Sequence, residues 1–207
     1  MSKIKLYRVP LSGHAHRAQV FISLLGLEAE LINVDLANGE HKRADYLEKN
    51  IFSQVPVIED GDVTLADSNA ILVYLANKYD ADKTWYPQDL ALMSEIQRFL
   101  SIASGQIAYG PCAARLVTVF GAQINHQNAI DISHQILAKL DQHLTGKNWL
   151  VGDHPTIADV ANYTYIAHAP EGGVSLDVYP NIRAWLKRFE ALPGFIPMQS
   201  TPAGLVK

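Results

Sequence analysis

The sequence predicts an α+β module over residues 1–79, a linker at 80–89 and an all-α helical bundle over 90–207. Three observations carry this. Before the linker, apolar residues recur alternately at strand and helix spacing, as strands and helices in succession do. After it, only helical spacing remains. Between the two, Asp80-Ala-Asp-Lys-Thr-Trp-Tyr-Pro-Gln-Asp89 has no periodicity.

Residues 3–9 alternate charged and apolar side chains (Lys3, Ile4, Lys5, Leu6) and read as a strand. Pro10-Leu11-Ser12-Gly13 breaks it. Residues 14–25 read as a helix with Ala18, Phe21, Ile22 and Leu25 on one face, stopped by Gly26. A second strand is expected at 29–35, parallel to the first through the helical crossover. Residues 36–53 are polar and irregular, with one helical turn around Ala44–Glu48. A hairpin follows, Val57 to Glu59 and Val63 to Leu65, turning at Asp60-Gly61, where Gly tolerates positive φ. A helix then runs from about Ser68 to Lys78. The order βαβαββα is that of a thioredoxin-like fold, a mixed sheet with helices on both faces.

In the second half one helix is expected from Leu90 to about Ser104, and an interruption or kink at Gly110-Pro111, because Pro removes a donor and clashes with the preceding turn. Further helices are expected at about 127–144, from Thr156, and over roughly 181–191, ended by Pro193-Gly194. Thr156-Ile-Ala-Asp159 has the form of a capping box with Asp at its third helical position.

Composition narrows the function. A net charge of −4 argues against nucleic acid or an anionic membrane surface as partner. No apolar run approaches the ~20 residues of a membrane span, and the N-terminus has no signal-peptide h-region. One cysteine, Cys112, leaves no intramolecular disulfide and fits a reducing setting. His14 and His16 are two apart on a helix, so they do not converge on one ligand, and no metal site is expected.

Residues 54–69, Gln-Val-Pro-Val-Ile-Glu-Asp-Gly-Asp-Val-Thr-Leu-Ala-Asp-Ser-Asn, hold the densest chemistry. A cis Val55–Pro56 bond would turn the Val55 backbone outward, free to pair with a peptide as an added strand would. Asp67 and Ser68 fall at a helix N-terminus, where N–H groups and the positive dipole end favour a carboxylate. Together they point to a small peptide ligand. Ser12 lies between first strand and first helix, where a thioredoxin-type fold places its reactive thiol. The tetrapeptide here is Ser12-Gly13-His14-Ala15, without cysteine. Such a site stabilises a thiolate carried by the ligand, or Ser12 is only the helix cap.

The 54–69 stretch resembles the glutathione-binding segment of the cytosolic glutathione transferases, and the likeness extends over nearly the whole chain. The resemblance implies a cis proline at Pro56, with the Val55 backbone pairing the cysteinyl part of glutathione. It implies that Asp67 and Ser68 hold the γ-glutamyl end. Ser12 matches the thiolate-stabilising serine of the serine-type enzymes. Gly39-Glu40-His41-Lys42 resembles the phi-class pattern, in which His41 and Lys42 hold the glycine carboxylate, and Gln54 reaches the same end. Arg17, one turn into the first helix, is either a support for the active-site loop or an exposed side chain. Tyr109, Cys112, Arg115 and Leu116 fall where the family places its electrophile pocket, with core packing as the other reading. The Thr156–Asp159 box opens a core helix in the family and is read as structural.

The function this implies is attack of a glutathione thiolate on a small hydrophobic electrophile. The alternatives are a non-catalytic binding or interaction module, or a peroxidase, isomerase or dehalogenase on the same site. The resemblance further implies a cytoplasmic, detoxifying homodimer that needs no cofactor beyond glutathione as co-substrate and no metal.

Overall fold

The structure, a computed structural model, describes residues 3–206 and contains two compact units. One runs to Asp82 and takes in Pro193–Gln199; the other holds Lys83–Leu192 and the segment from Ser200 on.

The first unit is built on a four-stranded sheet in the order β2-β1-β3-β4, with β1 Ile4–Arg8, β2 Ala29–Asn33, β3 Val57–Asp60 and β4 Val63–Ala66. β1 pairs parallel with β2 (Leu6 opposite Leu31) and antiparallel with β3 (Leu6 opposite Ile58), and β3 pairs antiparallel with β4. The alternation in β1 does what its spacing predicts: Ile4 and Leu6 are buried and Lys5 is exposed. Helices α1 (Gly13–Leu24) and α3 (Ser68–Tyr79) supply buried Ala18, Phe21, Ile22, Ile71, Leu72 and Leu75. A short α2 (Ala44–Leu47) places Tyr46 in a separate apolar cluster with Val34 and Val57, against which Tyr7, Val55 and Ala66 pack. The thioredoxin-like βαβαββα order is therefore realised, with a further turn of 3₁₀ helix at Glu40–Lys42.

Two details differ from expectation. Asp60 stays within β3, and the loop is Gly61-Asp62 with Gly61 at φ 63°. Asp60 is buried and accepts from the Tyr74 and Tyr79 hydroxyls and the Lys78 ammonium, clamping the hairpin onto α3. Second, Pro193–Gln199 belongs with the sheet unit rather than the helical one. The Ser23 hydroxyl donates to the Gly194 carbonyl at 2.7 Å, and His16 Nε2 donates to the Ile196 carbonyl at 2.9 Å. A Cβ at Gly194, where φ is 84°, would meet the Ser23 carbonyl oxygen at 2.7 Å, so only glycine fits there.

The second unit contains α4 (Leu90–Ser104), α5 (Ala113–Phe120), α6 (His126–His143), α7 (Ile157–Ala167) and α8 (Pro180–Glu190). The expected interruption at Gly110-Pro111 takes the form of a wider turn. Residues Ala108–Cys112 widen into π-helix, which accommodates the missing proline donor and leads directly into α5. Gly110 lets this turn approach α6, since a Cβ there would lie 3.0 Å from the Ser133 nitrogen.

Both halves of the Thr156–Asp159 capping box are present at the start of α7. Asp159 also accepts from the Leu150 amide and from Trp185 Nε1, each at 2.9 Å, so its carboxylate joins α7, α8 and the loop before them. Burial pushes its carboxyl up to about 6, against those donors. Asp159→Ala orphans several buried donors at ~1–3 kcal/mol each and is expected to cost about 3 kcal/mol or more. Thermal denaturation should then show a fall of roughly 6–12 °C. A variant with wild-type stability that had lost activity would contradict this structural role.

Candidate functional site

Strand directions bring the candidate residues of the first unit to one end of the sheet. β1 leaves the sheet at Arg8 and leads to Ser12; β2, parallel to it, leads to the loop holding His41 and Lys42. β3 runs the other way and is entered through Gln54-Val55-Pro56, and β4 reverses again and leads to Asp67 and Ser68. Three C-terminal strand ends, one strand start and the N-termini of α1 and α3 thus share this end, the position at which open α/β sheets bind ligands.

Ser12 is the N-cap of α1, its Oγ accepting from the Ala15 amide at 3.3 Å. That bond uses a lone pair. The hydroxyl proton goes to no other group of the chain among the described residues, and Gly13, the first helical residue, likewise keeps an unused N–H. Capping and donation to an incoming anion are therefore compatible at this one atom. Tyr7, the nearest tyrosine in sequence, is engaged elsewhere: its ring meets Tyr46 edge-on and lies under the Lys49 ammonium.

The start of α3 has the same double character. Asp67 caps the helix from a left-handed φ of 71°, costly for a residue with a Cβ. Its Oδ1 accepts from the Asn69 and Ala70 amides at 2.9 Å each, while Oδ2 takes no hydrogen bond from the chain among the described residues. The Ser68 amide is similarly unused. An N–H and a carboxylate oxygen thus lie side by side, a pair suited to the carboxylate and ammonium of an α-amino acid.

Behind this turn sits Arg17, 1% exposed. Its Nη1 donates to Ser68 Oγ at 2.8 Å and to Asn69 Oδ1 at 3.0 Å. His14, one turn earlier on α1, places Nδ1 3.3 Å from Ser68 Oγ. Burial, and secondarily the Arg17 charge, push His14 down to about 3, so its imidazole is neutral. His14 and Arg17 therefore join α1 to α3, whereas His16 points to Ile196, in keeping with the expected divergence of the two histidines.

The Val55–Pro56 bond is cis, and neither the N–H nor the C=O of Val55 is paired within the chain among the described residues. The adjacent Gln54 carbonyl is held by the Tyr46 hydroxyl at 2.9 Å and Asn50 Nδ2 at 3.0 Å. Ser53 Oγ donates to the His41 carbonyl at 2.7 Å, tying the Glu40–Lys42 turn to the segment before Gln54. His41 Nδ1 is enclosed without a partner among the described residues, and the Lys42 and Gln54 side chains are exposed. Asn50, Asn69 and Tyr46 were not singled out from sequence; their partners are set by loop geometry, which residue type alone does not disclose.

The four candidates in the helical unit divide. Tyr109 is 69% exposed, Leu116 is half-buried and Cys112 is enclosed in the π-helical turn. The Arg115 guanidinium is buried and donates to Glu171 Oε2 at 2.6 Å, and Glu171 also accepts from the Thr201 amide at 2.9 Å. Arg115 thus serves the internal packing of this unit.

Two family models cover most of the chain: glutathione S-transferase N-terminal domain over residues 2–77 and glutathione S-transferase C-terminal domain over residues 113–193. The chain belongs to the glutathione S-transferase family. It is 32% identical over 204 residues to glutathione S-transferase theta-1 of Rattus norvegicus, covering 92% of this chain and 84% of that one. With glutathione S-transferase 3 of Zea mays it shares 30% over 224 residues, covering 98% and 99%. A glutathione S-transferase structure from Pseudomonas fluorescens superposes with a TM-score of 0.90 at 28% identity, covering 96% of this chain and 100% of that one. A glutathione transferase homologue from Drosophila mojavensis, solved with bound glutathione, matches with a TM-score of 0.84 at 30% identity, covering 93% and 90%. Among the described residues no helix is long and apolar enough to cross a membrane.

Arg17 is expected to be the structural centre of the site. Arg17→Ala removes two bonds from a charged donor, about 1.5–3 kcal/mol each, and should lower unfolding free energy by roughly 3 kcal/mol or more. Arg17→Lys should recover only part, because a compact ammonium cannot reproduce the guanidinium fork. Urea denaturation of the three proteins checks this, and a lysine variant of wild-type stability would contradict it.

Proposed function

We propose that this chain is a glutathione transferase that binds the tripeptide along the shared end of its sheet and holds its sulfur as a thiolate. The observation that carries the proposal is the start of α3, where Asp67 Oδ2 and the Ser68 N–H are both left unused beside one another. That pair suits the zwitterionic γ-glutamyl end. The unpaired Val55 backbone suits the cysteinyl amide. His41, Lys42 and Gln54, on the loop side, suit the glycine carboxylate. This order puts the sulfur at Ser12.

Lowering a thiol pKa by ~2 units takes about 2.7 kcal/mol of preferential binding of the anion. One hydrogen bond from the Ser12 hydroxyl, roughly 1.5–3 kcal/mol to a charged acceptor, together with the α1 dipole, supplies it. The thiolate then attacks a carbon of a small hydrophobic electrophile and forms a thioether as a leaving group such as chloride departs with the electron pair of the bond it breaks, with proximity contributing further rate. The exposed Tyr109 ring and the half-buried Leu116 are the electrophile contacts we favour in the helical unit, with Cys112 and Arg115 packed within it. A homodimer fits the exposed Ile51 and Phe52 (77% and 74%) on the loop before Gln54. A cytoplasmic, detoxifying role completes the reading, and a single cysteine in no disulfide fits its reducing setting.

Calorimetry tests the binding half of this reading. The wild type is expected to bind glutathione. Asp67→Asn, which keeps an oxygen for the helix cap but loses the charge, should bind about 10–100-fold more weakly, the worth of one charge-assisted bond. Turnover across a panel that includes a chlorinated nitroaromatic tests the catalytic half. Unchanged affinity in Asp67→Asn would remove the γ-glutamyl assignment.

A further inference from the structure

The hydrogens around Ser68 can be counted. Arg17 Nη1 carries two, and its two shortest contacts, Ser68 Oγ at 2.8 Å and Asn69 Oδ1 at 3.0 Å, use both. The longer 3.4 Å approach of Nη1 to His14 Nδ1 is left without a hydrogen of its own. Ser68 Oγ therefore accepts from Arg17, and among the described residues its own proton has one acceptor within reach, His14 Nδ1 at 3.3 Å. Nδ1 of the neutral ring then carries the lone pair and Nε2 the proton. Ser68 is 4% exposed, so water does not compete readily for that hydroxyl.

We propose that His14 is a positioning residue for the ligand site: it holds the Ser68 hydroxyl proton and so leaves only the Ser68 amide for an incoming carboxylate. To recruit the hydroxyl as well, a carboxylate must draw that proton away from Nδ1 and give up the Ser68–His14 hydrogen bond in a buried place. His14 thus lowers affinity for the carboxylate and fixes whether Ser68 Oγ meets the ligand as donor or acceptor. The ligand half of this inference rests on the reading of Asp67 and Ser68 as the γ-glutamyl receptor; the tautomer half does not.

Nitrogen-15 NMR of the ligand-free protein tests the tautomer. His14 should show the Nε2–H form, and Ser68→Ala should shift its Nδ1 resonance while leaving His126, His134 and His143 unmoved. An Nδ1–H tautomer, or a His14 signal indifferent to Ser68→Ala, overturns the proposal whether or not glutathione binds. Calorimetry with glutathione tests the consequence. His14→Leu should tighten binding about fivefold, the fold-change of one neutral hydrogen bond. His14→Asn, whose amide oxygen can take the proton in place of Nδ1, should stay within about twofold of wild type. On a Ser68→Ala background His14→Leu should change nothing. Weaker binding in His14→Leu, or an equal effect without Ser68, overturns the proposal. If His14→Leu does not fold, the asparagine variant and the NMR measurement decide. A wild type that fails to bind glutathione overturns the γ-glutamyl reading, and the tautomer measurement still judges His14.

Discussion

A buried guanidinium holds the two helix starts of the site together. Arg17 comes from α1, its acceptors Ser68 and Asn69 from α3, and 51 residues separate Arg17 from Ser68 in sequence. An isolated charge in that position would be prohibitively expensive, and partners with fixed geometry are what make it tolerable. The consequence is mutual: α3 cannot shift its first turn without uncovering the charge, and α1 cannot rotate without releasing Ser68. Ser12 at one helix start and Asp67 at the other are therefore set relative to each other by Arg17, with His14 beside it.

Both helix starts use the same economy of atoms. At Ser12 one lone pair caps the helix and the proton remains. At Asp67 one carboxylate oxygen takes two amides and the other remains. Capping fixes each side chain in place and leaves its second functional group presented, so capping does not consume the group that the proposed ligand would meet. Asp159, by contrast, spends both oxygens on internal donors and is buried, which makes it purely architectural.

The elements set by local pattern were legible in the sequence. Leu90–Ser104 follows its apolar spacing to the residue, and α3 differs from its expected end only at Tyr79. The positions of Ser12, Val55-Pro56 and Asp67-Ser68 could be read because turn chemistry and strand order are local. Contacts between distant segments were less accessible. Arg17 was read as a possible support, but nothing near it discloses that Ser68 and Asn69 are its acceptors. The return of residues 193–199 to the sheet unit depends on Ser23 and His16, some 170 residues away or more. The local cost of Pro111 predicts an interruption or kink, and a π-turn stands there; that the turn packs tightly through Gly110 against Ser133 is not disclosed by the local sequence. The electrophile side is the least legible, since Arg115 as a residue type gives no sign that Glu171 already claims it.

The central claim is that Ser12 lowers the pKa of a bound thiol through its spare proton. Ultraviolet absorbance of the thiolate, titrated on the glutathione complexes of the wild type and Ser12→Ala, measures this directly. The account predicts nearly equal glutathione affinity in the two proteins and a thiol pKa higher by ~1–2 units in the variant, the loss of one charge-assisted hydrogen bond. Superimposable titrations would contradict it and leave Ser12 as a helix cap alone.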